Sequence, residues 1–338
     1  VLAIDLTVAV GHWTGHPTTA RVVAAANARA QALREQATTT APPTTVPPTE
    51  PPTTTTEAPT TTVPPLPARP APWTLGPYQG LGVWVDVYDW TNEMTGGNPR
   101  VGMGDVDRMA DLGIQTLYIQ TSHRRSASDV MEWDRLQTII DRAHERGMSV
   151  VAWYLPMLED VGLDLRRLAA AASLPVDGVG VDIESLAVKD VAERNRRLVE
   201  LSTALRQTIG TDAVMSAIVQ SPVVMQVVNP RYWPDFPWVE MGQLYDVIQP
   251  MSYWSERKPE WRSGARVSAE DIDRIRISTG RPDMPVHVVG GIANLVSDVD
   301  LLGMVDAIRS RGVLGGSLYD WSTSQAVQWD LLKVLRIG

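Results

Sequence analysis

From Trp73 to Gly338 the chain alternates short β-branched runs with amphipathic stretches. The runs read as strands are Gly82–Tyr88, Thr116–Gln120, Ser149–Leu155, Gly178–Ile183, Val214–Ile218, Val247–Met251, Val286–Gly290 and Gly315–Tyr319. Between them apolar residues recur at three- and four-residue steps: Trp133, Leu136, Ile140 and Ala143; Leu198, Leu201 and Leu205; Leu301, Val305 and Ile308. Steps of that size put the apolar side chains on one face of a helix. Strand and helix in strict alternation predict repeated βα units on a parallel sheet. Eight such units over residues 73–338 match the size of one α/β (β/α)8 TIM barrel. A doubly wound sheet is the alternative, but no strand leads into the G-x-G-x-x-G turn of a dinucleotide fold.

The pattern is absent upstream. Residues 1–37 form an N-terminal segment in which Ala24–Gln36 suits one short helix, or which is a membrane or export remnant. The apolar start, Val1–Val10, contains Asp5 and lacks a charged n-region, so it does not read as a complete signal peptide. Residues 38–72 are predicted to be a linker. Its central part, TTTAPPTTVPPTEPPTTTTEAPTTTVPP (residues 38–65), has almost nothing to bury, and its prolines block helix and ladder hydrogen bonds, which predicts a disordered tether. Thr/Pro tethers commonly join an exported or envelope-attached N-terminus to an extracellular module. The expected location is therefore secreted or associated with a bacterial cell envelope.

Composition narrows the function. The chain has 338 residues, 44% hydrophobic, enough to bury a large core. No run approaches the roughly 18 apolar residues of a membrane span, so a multi-pass membrane protein is not expected. The formal charge of -9 argues against a nucleic-acid partner. Four acids and four arginines cancel in residues 1–72 (Asp5, Glu35, Glu50, Glu57; Arg21, Arg29, Arg34, Arg69), so the acidity belongs to the barrel. With no cysteine there is neither a thiol nucleophile nor a thiolate metal site. His12 and His16 have i,i+4 spacing but no third ligand, and no metal or cofactor is expected.

In this fold the chemistry lies where strands end. The first strand closes on Trp84, Asp86, Tyr88, Asp89 and Trp90; the second on Gln120, with His123 beyond; the third on Trp153 and Tyr154. Asp182 and Glu184 end the fourth, Gln249, Met251, Tyr253 and Trp254 the sixth, and Tyr319, Asp320 and Trp321 the eighth. Aromatic rings cover the apolar faces of sugars while carboxylates and amides take hydroxyls, so a carbohydrate partner is expected. The strongest local signal is DGVGVDIE, residues 177–184. Strand alternation puts Gly180, Asp182 and Glu184 on one face, with Glu184 nearest the rim. Mutual repulsion of two such carboxylates raises one proton affinity and suits Glu184 to general acid catalysis. As a structural alternative, Glu184-Ser185 could simply precede a helix starting near Val188. His144, His287 and Trp133 are expected to pack, and His123 to lie on the active-face loop.

DGVGVDIE resembles the strand-four D-G-x-D-x-D-x-E motif of glycoside hydrolase family 18, the chitinases and endo-β-N-acetylglucosaminidases. VIQPMSYW and GGSLYDWS resemble the strand-six and strand-eight segments of that family. The resemblance spans Trp73–Gly338 and implies substrate-assisted hydrolysis of an N-acetylated glycan. It implies that Glu184 protonates the glycosidic oxygen, Asp182 orients the acetamide, Tyr253 bonds its carbonyl and Trp321 floors the sugar subsite. Asp86, Gln120, Trp153, Gln249, Met251, Trp254 and Asp320 complete the expected substrate contacts. Two positions depart from the pattern: the family's inner Asp is Gly180, and its Asp or Asn after the strand-six Tyr is Trp254. A family 25-type muramidase using Asp86 or Asp89 beside the D-x-E is the second reading, and a catalytically silent glycan-binding barrel the third. The expected oligomeric state is monomeric.

Overall fold

The computed structural model describes residues 73–337 apart from Glu256. The N-terminal segment and tether expected over residues 1–72 lie outside the described residues. Eight parallel strands close into a barrel in chain order: β1 (Gly80–Val85), β2 (Thr116–Gln120), β3 (Ser149–Tyr154), β4 (Gly178–Ile183), β5 (Met215–Gln220), β6 (Val247–Met251), β7 (His287–Ile292) and β8 (Gly315–Tyr319). Outside them lie α1 (Met103–Asp111), α2 (Trp133–Glu145), α3 (Val161–Ser173), α4 (Val191–Ile209), α5 (Trp238–Leu244), α6 (Gly264–Ser278), α7 (Asp298–Ser310) and α8 (Ala326–Leu332). Among the described residues no helix is long and apolar enough to cross a membrane.

All the expected strands form: β2, β4, β6 and β8 have the expected bounds, and the other four have shifted ends. The first stops at Val85 instead of Tyr88 because the Asp86 side chain accepts from Tyr88 N at 2.7 Å and caps a helical turn, Val87–Trp90. The third strand stops at Tyr154, and the seventh runs to Ile292. The helix expected near Val188 starts at Val191, where Asp190 accepts from Glu193 N. Trp133 does open α2, yet it is 46% exposed and does not pack in the core as expected. His144 is half-exposed and pairs with Asp177 at 2.9 Å, so it too is no core residue.

Alternation along the strands makes two cores. On β4, Val179, Val181 and Ile183 face outward into the shell between strands and helices. The opposite face belongs to a separate inner cluster of Tyr78, Trp84, Tyr118, Val151, Trp153, Ile218, Val247, Met251 and Val289. Tyr78 plugs the lower end, its hydroxyl donating to Val179 O at 3.3 Å. Glycines provide the room: a Cβ on Gly178 would lie 2.5 Å from Tyr78 Oη, and one on Gly82 2.4 Å from Tyr118 Cε2. Above the plug, Trp84 stacks on Tyr118 with ring centroids 4.4 Å apart and meets Trp153 edge-on at 5.8 Å. The barrel is thus filled with rings and aliphatic side chains below its C-terminal mouth, which leaves the residues at and just beyond the strand ends for chemistry.

Candidate active site

Asp182 occupies the last inward position of β4 and Glu184 lies one residue past its end; both are 6% exposed. Burial raises Glu184 to about 7. Burial, reinforced by the charge of Glu184, pushes Asp182 well above the ordinary carboxylate range. The two therefore share protons near neutrality instead of both ionising. Asp182 Oδ1 is buried without a hydrogen-bond partner, so one acceptor lone pair of the site is uncommitted.

Below this pair the structure explains Gly180. A Cβ there would lie 2.9 Å from Ile218 Cδ1, 3.2 Å from Ser216 Oγ and 3.3 Å from Trp153 Cβ. An aspartate does not fit without displacing Ile218. The space that a carboxylate would take is packed with apolar side chain, so Asp182 has no acidic neighbour beneath it on its own strand.

A residue with no sequence signal approaches from the other side. Tyr232, in the loop between β5 and α5, donates from its hydroxyl to Glu184 O at 3.1 Å. Burial raises its proton affinity, and the charges of Glu184 and Asp182 add to that rise. Trp233 anchors the loop by donating from Nε1 to Asn195 Oδ1 at 2.6 Å under the Arg194 guanidinium.

The strand-six segment is held by Asp271 of α6, which accepts from Ser221 Oγ at 2.8 Å, from Val223 N at 2.8 Å and from Ser252 Oγ at 2.6 Å. Ser252 fixes the backbone of Tyr253. The Tyr253 ring stands 6.0 Å from that of Tyr319, whose hydroxyl donates to Asp86 Oδ2 at 2.9 Å. The aromatic that β8 turns toward the mouth is thus Tyr319. Trp321, expected as the subsite floor, donates instead from Nε1 to Asp105 Oδ1 of α1 at 3.1 Å and packs beside Trp329 on the outer core.

The remaining expected contacts divide. Trp153, Met251 and Gln249 are buried inside the barrel beneath the mouth. Gln120 is committed to structure, its Oε1 accepting from Val87 N at 3.2 Å. Trp254 is wholly buried in the outer core, where a Cβ on Gly291 would meet its ring at 3.3 Å, and it offers no surface to a sugar. His123 stands at the mouth: its Nε2 meets Tyr88 Oη at 3.2 Å, and burial plus the charges of Arg125, Arg124 and Arg167 lower it to about 4.

Asp86, Asp89 and Asp320 form a buried acidic group beside the mouth, with one oxygen of each within 4.8 Å of the others. Among the described residues it is the one group that could offer three hard oxygens to a cation. Its oxygens are largely engaged within the protein: Asp86 accepts from Tyr88 N and Tyr319 Oη, Asp89 from Ser322 Oγ, and Asp320 from Thr323 N and Oγ1. Burial raises all three, Asp320 to about 7.

No protein-family model matches the sequence, and neither does any curated protein. Solved structures do match in fold. The chain is similar to a chitinase from Bacteroides thetaiotaomicron, at 13% identity and a TM-score of 0.53 over 76% of this chain and 94% of that one. It is similar to the spore cortex-lytic enzyme SleL of Bacillus cereus, at 10% identity and a TM-score of 0.54 over 77% of this chain and 75% of that one. A glycoside hydrolase family 18 N-acetylglucosaminidase from Paenibacillus barengoltzii matches at 8% identity and a TM-score of 0.52, covering 76% of this chain and 100% of that one. The fold is the barrel that these hydrolases share.

Proposed function

We propose that the protein is a glycoside hydrolase acting on an N-acetylhexosamine-containing glycan by substrate-assisted acid catalysis, with Glu184 as proton donor. The observation that carries this reading is the β4 pair: two buried carboxyls on one strand face, one of them raised to about 7 by burial. An acid with that proton affinity holds its proton at mildly acidic pH and can give it to a departing oxygen. The chitinase and the N-acetylglucosaminidase of like fold support the substrate class.

In the first step the C–O bond to the leaving sugar breaks as the Glu184 proton passes to the glycosidic oxygen. The acetamide carbonyl oxygen of the substrate forms the new bond to the anomeric carbon. Asp182 Oδ1, which has no protein partner, takes the acetamide N–H, and the negative charge left on the β4 pair once Glu184 has given up its proton balances the developing oxazolinium charge. Tyr253 donates to the acetamide oxygen. In the second step water loses a proton to Glu184 and opens the oxazolinium, restoring acid and acetamide. Tyr232, bonded to the Glu184 carbonyl, fixes the backbone of the acid.

The muramidase-type reading needs an ionised nucleophile on the β1 side. Asp86 is a poor one: both its oxygens accept hydrogen bonds, and burial with Asp89 and Asp320 nearby favours its neutral form. A thiazoline analogue of the oxazolinium separates the two mechanisms, because it resembles what the site stabilises best. Inhibition by the thiazoline, weakened in Tyr253→Phe, supports substrate assistance. An active enzyme indifferent to the thiazoline but disabled by Asp86→Asn or Asp89→Asn would establish the carboxylate mechanism instead. Glycan binding without turnover would establish a silent barrel. The Thr/Pro-rich stretch at residues 38–65 supports action outside the cell or at its envelope.

A further inference from the structure

The loop after β2, residues 121–130, carries two adjacent arginines, Arg124 and Arg125, both exposed. Exposed arginines on mobile loops are ordinary, but this loop is built. Ser126 N donates to His123 O at 2.9 Å, Arg125 N to His123 Nδ1 at 3.2 Å, and Ser122 Oγ to Ser128 O at 3.1 Å. From below, the buried Arg167 of α3 donates from Nη2 to Ser126 O at 2.7 Å and from Nη1 to Tyr154 Oη at 2.9 Å. The tyrosine in turn donates to the buried Asp164 at 2.9 Å. A buried guanidinium with its counter-charge thus fixes the loop backbone.

The loop also meets the mouth. Because His123 Nδ1 accepts from Arg125 N, its proton sits on Nε2 and is donated to Tyr88 Oη at 3.2 Å. Tyr88 lies two residues beyond Asp86, and the charges of Arg125 and Arg124 both bear on its phenol and on His123. Neither arginine has an ion pair among the described residues, and the loop's own acid, Asp129, is taken by Arg166 at 3.2 Å. The strand ends nearby otherwise carry Asp86, Asp89, Asp182, Glu184 and Asp320. The backbone that carries these two cations is fixed, and neither is compensated by an ion pair among the described residues, so a positive pair stands on the rim of an otherwise acidic mouth.

We infer that Arg124 and Arg125 form a rim subsite for an oxyanion carried by the glycan, a carboxylate or phosphate substituent on a sugar next to the one that is cleaved. The inference rests on the carbohydrate reading of the mouth and narrows its substrate class to acidic glycans. The planar guanidinium fork pairs with either oxyanion through two parallel hydrogen bonds, which gives orientation as well as attraction.

Binding of matched oligosaccharides to the full chain tests it. The probes are N-acetylglucosamine oligomers, the same backbone bearing lactyl carboxylates, and a phosphate-substituted version. At low salt one of the acidic probes is expected to bind about tenfold tighter than the neutral one, with the preference falling as salt rises. The preferred probe identifies the substituent. In Arg124→Ala/Arg125→Ala the ratio of acidic to neutral affinity should approach one, and in Arg124→Lys/Arg125→Lys it should be partly kept. Equal affinity for all three probes, or a preference that survives the double alanine change, overturns the inference while leaving the hydrolase reading standing. Failure of every probe to bind would overturn the hydrolase reading itself.

Discussion

At the scale of single residues, burial sets the protons of the proposed site. Glu184 is raised to about 7, so its protonated form dominates at pH 6 and is lost above neutrality. For an enzyme that needs this acid, kcat/KM should be level on the acid side of about 7 and fall about tenfold per pH unit beyond it. A profile that keeps rising to pH 9 would remove Glu184 from that role. The D-x-E pair was legible because a strand's period of two leaves no choice about which residues share a face. Tyr232 was not legible, since it sits in NPRYWPDFPW, where no periodicity assigns a direction to any side chain. Trp321 misled for a related reason: one residue past the strand end, Asp320 caps a new turn, and the indole swings out to Asp105.

At the scale of elements, β4 and β5 have adjusted to each other. Gly180 pairs in register with Ser216, and the Ile218 side chain fills the space above Gly180 that a larger residue would need. Gly180→Ala should therefore destabilise the protein by about 1–3 kcal/mol through overpacking, read from urea midpoints. Ile218→Val removes the methyl that lies 2.9 Å from the new Cβ, and alone should cost about 0.5–1.5 kcal/mol. Combined, the two changes should cost less than their sum, because the second removes the clash that the first creates. Strict additivity would mean that Gly180 is small for some other reason. The departure at position 180 was visible in the sequence, but its cause was not, since the compensating residue lies on the next strand. Strand and helix placement was legible throughout, because each unit packs one face outward and the other inward. The strand ends were less so: whether β1 continues past Val85 depends on one hydrogen bond from Tyr88 N to Asp86.

At the scale of the whole molecule, the barrel gathers buried acids at one end. Burial, with Asp89 adding its charge, raises Asp320 to about 7 from an ordinary value of 3.8. A carboxyl raised on folding contributes stability that is complete below about 4 and is lost as pH rises through about 7. Asp320→Asn keeps an acceptor for Thr323 and removes the titration. Its thermal midpoint should gain on the parent at pH 8.5 relative to pH 5, while Asp86 and Asp89 preserve part of the slope. An equal shift at both pH values would show that Asp320 is not titrating in that window. The closed barrel followed from counting units along the chain, whereas the clustering of Asp86, Asp89 and Asp320 did not, because it requires β1 and β8 to be neighbours.

The central claim is that Glu184 delivers the proton that breaks the glycosidic bond. Glu184→Gln keeps shape and volume and removes only the proton to be delivered, so turnover of an aryl N-acetylhexosaminide with a poor leaving group measures the claim directly. The account predicts a loss on the order of a hundredfold or more in kcat with substrate still bound. Turnover in Glu184→Gln equal to that of the parent would contradict it.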